Sequence, residues 1–416
     1  MRQIIDFHIH SKYARATSKF FELDVMVKWA EIKGVDIISC ADFTHPRWYK
    51  NLQKNLEEDN NSSLYKLKNL DSKVRFIIST EVSCIYRQND KTRRVHLCIL
   101  MPNLEAAGKF NQTLADRGAK LASDGRPILG MSAKDVLQIM LDIDKRAMMI
   151  PAHAWTPWFA VFGSKSGFDS LKECFEELTP HIKAIETGLS SDPIMNWRLS
   201  ELDDITLVSN SDAHSGPQIG REANVMELRE RTYNEIIDII ASKDKSRFLY
   251  TIEFYPEEGM YHVDGHRDCG FSCSPAESQK LKGLCPKCKK PLTIGVLAQV
   301  DKLANISEKD IDKIKHIPYK SIVPLPNIIA DYFGMGKQSK RVQNLFLDIV
   351  SKADNEFQVL LDLSEAELKT IMPDILANGI IKMRQDKIKL TPGFDGEYGK
   401  VVIFSDDERQ EAKLNK

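Results

Sequence analysis

The segment Ile4-Ile5-Asp6-Phe7-His8-Ile9-His10 decides how the rest of the chain is interpreted. It is an apolar strand that ends in two histidines separated by one isoleucine. Because residues i and i+2 of a strand face the same side, the imidazoles of His8 and His10 point in one direction. Two imidazoles that converge at a strand end are typical of half of a metal site. One such pair is common by chance, but later strands end in the same way.

Short apolar runs alternate with amphipathic stretches from residue 1 to about 215, which predicts successive βα units. Seven strands with crossover helices predict a barrel, and barrel enzymes carry their chemistry where the strands end. The candidate metal ligands at or near such ends are His8, His10, Asp42, His45, Glu81, His96, His153, Asp212 and His214.

A single histidine or glutamate is more often scaffold or solvated surface than a ligand. One barrel mouth that collects several imidazoles and carboxylates is different, because burying them without a cation is costly. We therefore expect two or three divalent cations (Zn, Mn or Mg), with a carboxylate such as Glu81 bridging two of them. The candidate catalytic residues are His8, His10, Glu81, His153 and Asp212.

A pair of bridged cations is suited to phosphoryl displacement. Amidohydrolases share the barrel and the ligand types but usually show a bridging lysine, and none is evident at a strand end. Phosphoester hydrolysis is therefore the favoured chemistry.

The composition is that of an ordinary soluble protein, with 42% apolar and 28% charged residues among 416. The net charge of −1 gives no global attraction to nucleic acid, so any such contact needs local basic patches. The apolar runs are shorter than the ~18–20 residues of a membrane helix. The chain starts directly in a strand without a signal peptide, so we expect a cytoplasmic protein with no membrane contact.

The eight cysteines form two groups. Four are scattered in apolar segments, where they are best interpreted as small buried hydrophobic residues: Cys40, Cys84, Cys98 and Cys174. The other four lie within twenty residues, which in a reducing compartment predicts one structural zinc rather than disulfides. Cys269, Cys285 and Cys288 are assigned as ligands. The fourth is Cys273, His266 or His262.

The pattern predicts three domains: a barrel over 1–250, a zinc-binding domain over 251–300 and a mainly helical, nucleic-acid-binding domain over 301–416. In the last domain, a helix is predicted over Ser339 to Ala353. A capping box at Ser364 opens a second helix, which is expected to end near Gly379. A short hairpin is expected over Ile380 to Leu390.

Three other segments each have more than one possible interpretation. Residues 103–130 are either a functional insertion or a disordered one. The aromatic loop 155–168 either stacks on a base or covers the barrel rim, and 192–198 is a second candidate for substrate contact. The basic start of the 339–353 helix either grips phosphate or is a solvated helix end. The candidate substrate contacts are Trp155, Trp158, Asp192, Asn196, Trp197 and Arg221.

Several motifs resemble those of the polymerase and histidinol phosphatase (PHP) superfamily: DFHIHS, the turn Asp42 to Pro46, the strand of Glu81, His96, PAHAWTPW and SNSDAH. Longer motifs are similar to the endonuclease Q family within it: PAHAWTPWF, SSDPIMNWRLS, SNSDAHS followed by IGREAN, DGHRDC and CPKCKKPLTIGVL. The resemblance runs from residue 1 to about 400. Cys273 is additional to the pattern of the family, so His266 and Cys273 remain alternative zinc ligands.

The resemblance implies an α/β fold built on a distorted TIM-like (β/α)7 PHP barrel. It implies a DNA repair endonuclease that cuts duplex DNA 5′ of uracil, hypoxanthine, xanthine and abasic sites, leaving 3′-hydroxyl and 5′-phosphate ends. It also implies contact with the sliding clamp, for which the chain shows no clear motif. We expect the lesion to be extruded from the duplex, with Asn196 and Trp155 or Trp158 contacting the base.

The alternatives are a small-molecule phosphatase of the PHP type, a PHP nuclease without lesion specificity, and a non-catalytic nucleic-acid-binding protein. A phosphatase has no evident use for a zinc knuckle and a further ~100-residue module, whereas a nuclease must hold a long polyanion. A binding module would not keep a complete set of metal ligands.

Overall fold

A mixed sheet of eleven strands organises the chain in the computed structural model, which describes residues 1–414. The strands of the whole chain are β1 (Arg2–Asp6), β2 (Ile37–Ser39), β3 (Leu56–Glu58), β4 (Tyr65–Leu67), β5 (Arg75–Gln88), β6 (Lys91–Met101), β7 (Ile128–Leu129), β8 (Met148–Pro151), β9 (Ala184–Glu186), β10 (Thr206–Val208), β11 (Ala223–Glu227), β12 (Phe248–Glu253), β13 (Asp264–His266), β14 (Phe271–Cys273), β15 (Tyr319–Ser321), β16 (Lys389–Thr391) and β17 (Lys400–Val402). The order in the large sheet is β15-β12-β11-β1-β2-β5-β4-β3, with β6 on β5 and β8, and β7 on β5.

Some helices pack against this sheet, and those of the C-terminal part pack mainly against one another. The helices are α1 (Leu23–Lys33), α2 (Pro46–Asn55), α3 (Leu104–Asp116), α4 (Ala133–Ile143), α5 (Leu171–Phe175), α6 (Pro193–Asn196), α7 (Tyr233–Ala241), α8 (Pro275–Lys280), α9 (Val296–Leu303), α10 (Leu325–Phe333), α11 (Lys340–Ala353), α12 (Glu365–Ile371), α13 (Asp374–Arg384) and α14 (Asp406–Leu414). Within the described residues, no helix has both the length and the apolar character needed to cross a membrane.

The sheet is less regular than a series of parallel βα units, because β5 and β6 form a long antiparallel hairpin. Asn89 and Asp90 join the two strands, and both have positive φ, at 51° and 57°. Two central residues with positive φ make the type I′ turn that connects antiparallel neighbours. The prediction of a crossover helix at this point is therefore wrong, and Asn-Asp was the local signal against it.

The parallel pair β9 and β10 lies between β8 and the adjacent strands β1 and β11 of the large sheet. The amide of Ala154, just after β8, donates to the carbonyl of Glu186 at 3.0 Å. On the other side, the Asn224 side chain accepts from the Ser209 amide and donates to the Ser209 and Ile5 carbonyls. Strand ends from both sheets therefore meet in one place.

Residues 103–130, predicted as an insertion, contain helix α3. The helix starts because the side chain of Asn103 accepts a hydrogen bond from the amide of Ala106 at 2.8 Å. The segment then returns through Gly125, where a β-carbon would lie 2.4 Å from Asp42 Oδ2. The end of the segment is therefore packed directly against the strand ends.

The C-terminal part contains helices α10 to α14, and the capping box predicted at Ser364 is present. The helix predicted from Ser364 to near Gly379 is instead two helices, since α12 ends at Ile371 and α13 begins at Asp374. The predicted hairpin over Ile380 to Leu390 is wrong, because α13 continues to Arg384. The hairpin is formed later, by β16 and β17. Strand β15 from this part of the chain pairs in parallel with β12, so the large sheet extends beyond the predicted boundary at residue 250.

Buried carboxyl groups lie beneath β9 and β10. Glu253 is fully buried and accepts hydrogen bonds from the hydroxyls of Thr187 and Ser209 at 3.0 and 3.1 Å. Burial raises the pKa of Glu253 to about 7, and it raises the pKa of Asp6 to about 6. A carboxyl group with a raised folded-state pKa stabilises the protein when it is protonated.

We predict that Glu253 contributes a fall in the free energy of unfolding as pH rises from about 5.5 to 8. The contribution of Glu253 is fully present below its unfolded pKa of about 4.3 and is lost as pH rises through about 7. The loss over this interval is about 2 kcal/mol for one group. Glu253→Gln should remove that part of the slope in denaturant unfolding, whereas the exposed Glu230→Gln should not change it. A pH dependence equal to wild type in Glu253→Gln would contradict the assignment.

Candidate metal centres

Four side chains from three segments form one compact group: His8 and His10 follow β1, Glu81 lies in the middle of β5, and Asp212 follows β10. The Nε2 atoms of His8 and His10 lie 3.4 and 3.2 Å from Oε2 of Glu81. The same nitrogens lie 3.6 and 3.1 Å from Oδ1 of Asp212. The ligand atoms of all four residues are within 4.8 Å of one another. We call this set the first cluster.

The other oxygen of Glu81 belongs to a second cluster, with His96 and His153. Oε1 of Glu81 lies 2.8 Å from His96 Nδ1 and 3.2 Å from His153 Nε2. The carboxylate is fully buried, and each of its oxygens faces a different set of imidazoles. Glu81 is therefore placed to bridge two cations.

The donor atoms of the first cluster fit a cation. His8 Nε2, His10 Nε2 and Asp212 Oδ1 are buried, and none of them makes a well-formed hydrogen bond. Buried polar atoms in proteins normally make hydrogen bonds, so three buried atoms without a hydrogen-bond partner at one point indicate a bound ligand. In the second cluster, burial lowers the pKa of His96 to about 4, which keeps the imidazole neutral as metal ligation requires.

The opposite ring nitrogens of the paired histidines are held by carboxylates. His8 Nδ1 lies 3.0 Å from Glu186 Oε1, and His10 Nδ1 lies 3.0 Å from Asp42 Oδ1. A hydrogen bond at Nδ1 fixes the tautomer and aims Nε2 at the cluster. Asp42, predicted as a ligand, is instead placed to orient His10, since its other oxygen accepts from the amide and hydroxyl of Ser11.

His45 and His214 lie beside the clusters but outside both groups. The ring of His45 stacks on Tyr13 with centroids 4.2 Å apart. Nδ1 of His214 lies 2.9 Å from the carbonyl oxygen of Asp212, and its ring centroid is 4.5 Å from that of His10. A further buried group of possible ligands is formed by His8, Cys98 and Glu186.

Arg126 is a member of the site that the sequence did not indicate. Its Nη1 lies 2.9 Å from Oε2 of Glu81, and its side chain is 25% exposed. Burial would raise the pKa of Glu81, but Arg126 and the neighbouring imidazoles hold it well below its usual range. Arg126 is thus charged beside the shared carboxylate and reaches the surface.

Three residues of the site that follow strand ends have a strained backbone. Asp42, His153 and Asp212 have positive φ values of 29°, 31° and 46°. Residues other than glycine rarely adopt this region, and such strain is found at functional sites. Arg221 supports one of these turns, because its guanidinium donates to the carbonyls of Ser211 and Asp212 at 2.7 and 3.2 Å.

Three of the six predicted substrate contacts are buried, namely Trp155, Asn196 and Trp197. The indole N–H of Trp155 donates to Oδ1 of Asn196 at 2.7 Å, and both side chains are in the interior. Trp197 stacks on His316 with centroids 4.5 Å apart. Asp192 caps α6 by accepting from the Met195 amide. The prediction that Trp155 and Asn196 touch a base is not supported by these positions, since their polar atoms are bonded to each other.

The cysteine cluster brings together His266, Cys269, Cys285 and Cys288, whose ligand atoms lie within 4.8 Å of one another. Cys273 lies outside this group, although it packs beside Cys285 and Leu292 in a small apolar cluster. The amides of Lys287 and Cys288 outweigh burial and lower the pKa of Cys285. His262 also lies outside the group, so the geometry favours His266 as the fourth ligand.

Similar proteins were found by sequence. The family model described as the MJ0043 C-terminal domain matches residues 324–387. Protein MJ0043 of Methanocaldococcus jannaschii is 32% identical over 260 residues, which cover 60% of this chain and 31% of that protein. The chain thus spans about a third of the length of this relative. YqxK of Bacillus subtilis is 27% identical over 417 residues, covering 95% of this chain and 98% of that protein.

Solved structures match over nearly the full length. The lesion-specific endonuclease PfuEndoQ of Pyrococcus furiosus has a TM-score of 0.85 and 28% identity, covering 97% of this chain and 96% of that one. The chain is a relative of endonuclease Q. A second structure, endonuclease Q with a 27-mer duplex carrying an abasic lesion at the active site, has a TM-score of 0.84 and 28% identity. It covers 99% of this chain and 98% of that one. The family resemblance predicted from the sequence is therefore confirmed.

In this endonuclease Q relative, we predict that His8→Ala and Glu81→Gln abolish divalent cation binding at the clusters. Glu186→Gln and Asp42→Asn should lower the affinity about 10–100-fold, because these residues only orient ligands. Titration against a chelating dye, with Glu253→Gln as a control for a buried carboxyl outside both clusters, measures the effect. Full affinity in Glu81→Gln would contradict the bridging role.

For the cysteine cluster, Cys288→Ser and His266→Ala should each lose one tightly bound zinc per chain. The metal supplies folding free energy to residues 260–295, so protease sensitivity should rise there. Cys273→Ser is the matched control and should retain zinc. Zinc loss in Cys273→Ser with retention in His266→Ala would reverse the ligand assignment.

Proposed function

We propose that this chain is a metal-dependent DNA repair endonuclease. It cuts duplex DNA 5′ of deaminated bases (uracil, hypoxanthine, xanthine) and abasic sites, leaving 3′-hydroxyl and 5′-phosphate ends. The proposal includes the distorted seven-stranded PHP barrel and the three domains predicted from the sequence. The observation that carries it is the pair of clusters sharing Glu81, in a fold that matches endonuclease Q bound to an abasic duplex.

The proposed reaction is hydrolysis of one phosphodiester bond. Divalent cations bound at the two clusters would supply Lewis acidity towards the scissile phosphate and the attacking water. Water adds to phosphorus, the bond between phosphorus and O3′ breaks, and the released O3′ takes a proton. The residues His8, His10, Glu81, His96, His153 and Asp212 would hold the cations.

The residues of the chain contribute positioning and charge. Arg126 is anchored to Glu81 and is 25% exposed, so its free N–H groups are available to a non-bridging phosphate oxygen. Glu186 and Asp42 keep the imidazoles of the first cluster in one tautomer. A preorganised site of this kind needs no reorganisation when negative charge develops on the phosphate.

The experiment uses labelled duplexes that carry a single uracil, hypoxanthine or abasic site, with Mg²⁺, Mn²⁺ or Zn²⁺. A single cut 5′ of the lesion, with a product that a ligase or polymerase can extend from its 3′ end, supports the proposal. An undamaged duplex distinguishes a nuclease without lesion specificity. A small phosphate ester distinguishes a phosphatase, and turnover of that ester without DNA cleavage would overturn the proposal.

We predict that His8→Ala and Asp212→Asn reduce cleavage at uracil by at least about 100-fold, the scale of losing one preorganised electrostatic group. DNA binding should stay close to wild type, because affinity for DNA comes mostly from phosphate contacts. Gel-based cleavage and filter binding of the same duplex measure the two effects separately. Wild-type cleavage in either variant, after metal is removed and restored, would exclude these clusters as the catalytic centre.

A further inference from the structure

A groove of about 600 Å³ lies beside the second cluster and is not used by the reaction described above. One wall is the start of β6, with Arg94, and the other is helix α9, with Gln299 and Lys302. The loop after His153 forms the floor, from Trp158 to Asp169. This volume lies within the range of ligand sites and is far larger than a bare phosphate needs.

The groove is continuous with the metal site. Arg94 and His96 are two residues apart on β6, so they face the same side about 6.5 Å apart along the strand. Phe159 lies between them, with its ring 4.6 Å from that of His96 and 5.7 Å from the Arg94 guanidinium. An elongated ligand that extends from His96 along this side therefore reaches Arg94 next.

The charge of the groove is positive after its internal ion pairs are taken into account. Arg93 pairs with Glu173 at 2.6 Å, and Lys302 pairs with Asp169 at 3.0 Å. The remaining cations of the lining are Lys91, Arg94 and Lys165. No carboxylate among the side chains described over 1–411 lies within 4.0 Å of any of these three. They are available to an external anion.

One aromatic side chain is left open at the groove. In the loop after His153, Trp155, Phe162 and Phe168 are buried and hold the loop in place. Trp158 is 41% exposed and contacts Tyr261 only edge-on, with centroids 6.0 Å apart. The backbone beneath it is tightly folded, since a β-carbon at Gly163 would lie 2.6 Å from the carbonyl oxygen of Thr156.

We propose that this groove binds the backbone of an unpaired DNA strand as it leaves the metal clusters, with Trp158 stacking on one of its bases. The inference rests on the proposed function. A positive groove with an exposed aromatic is the arrangement that binds single strands without sequence preference. An acidic peptide would satisfy the cations but would leave the indole face without a partner.

The first experiment measures the salt dependence of oligothymidylate binding with no divalent cation added. In Arg94→Gln/Lys165→Gln, the slope of log K against log salt should fall by about 0.7 per residue, or about 1.4 in total. The matched control is Lys28→Gln/Lys145→Gln, in which two exposed lysines outside the groove are neutralised. Unchanged zinc content and circular dichroism show that the variants fold. A slope equal to that of the control would overturn the proposal.

The second experiment tests the stacking. Oligothymidylate should quench tryptophan fluorescence in the wild type, and the quench should be lost in Trp158→Phe. Trp158→Ala should bind at least about fivefold more weakly, whereas Trp158→Phe should bind close to wild type because it keeps an aromatic face. Poly-glutamate that competes fully with oligothymidylate, together with wild-type binding by Trp158→Ala, would show a peptide site and overturn the proposal.

Cleavage of the uracil duplex is measured separately from these binding assays. Oligothymidylate has no lesion and is bound without cations, so its binding does not depend on catalysis. If the groove variants weaken oligothymidylate binding but the protein does not cleave the uracil duplex, the binding proposal stands and the proposed function is contradicted. If the protein cleaves the duplex but the variants leave the salt slope unchanged and no fluorescence quench occurs, only the binding proposal is contradicted.

Discussion

The structure depends on one buried carboxylate, that of Glu81, surrounded by four imidazoles and a guanidinium. Burying a carboxylate is costly unless each oxygen is compensated. Here Oε2 faces His8, His10 and Arg126, and Oε1 faces His96 and His153. Five side chains from four segments of the chain must therefore lie within about one hydrogen-bond length of a single group. The irregular sheet and the strained turns are the means by which they do so.

The positive φ values at Asp42, His153 and Asp212 follow from this requirement. A side chain at the end of a regular strand alternates across the sheet, and it does not point along the axis where the strands meet. Turning the backbone into the left-handed region redirects each side chain at a cost of about 1–3 kcal/mol per residue. Hydrogen bonds offset the cost, as when Arg221 holds the carbonyls of Ser211 and Asp212.

The residues of the two candidate cation clusters could be predicted from the sequence because cation binding requires particular residue types, which stand at or near the predicted strand ends. His8, His10, Glu81, His96, His153 and Asp212 were all found in this way, and the structure brings them together. Arg126 could not be found, because it lies in a segment whose return to the site depends on the packing of Gly125 against Asp42. The role of Asp42 in orienting His10 was missed for a related reason. A carboxylate that binds a cation and a carboxylate that orients a ligating histidine are the same residue type. Only interatomic distances distinguish the two roles.

In the aromatic loop, too, the sequence does not determine the role of each residue, because packing decides which side chains are buried. Its sequence contains tryptophan and phenylalanine side chains that stack on a base or cover a rim equally well, and both uses occur. The indole of Trp155 is buried and donates a hydrogen bond to Asn196. Trp158 is exposed, and the backbone beneath it folds tightly because Gly163 has no side chain. Which tryptophan is buried is set by contacts from α6, forty residues away in the chain. Because α9 forms the opposite wall of the groove, the segment that follows the cysteine cluster shapes the surface beside the metal centres. Helix α9 contacts β13, which ends at His266, so the candidate zinc site adjoins this wall of the groove.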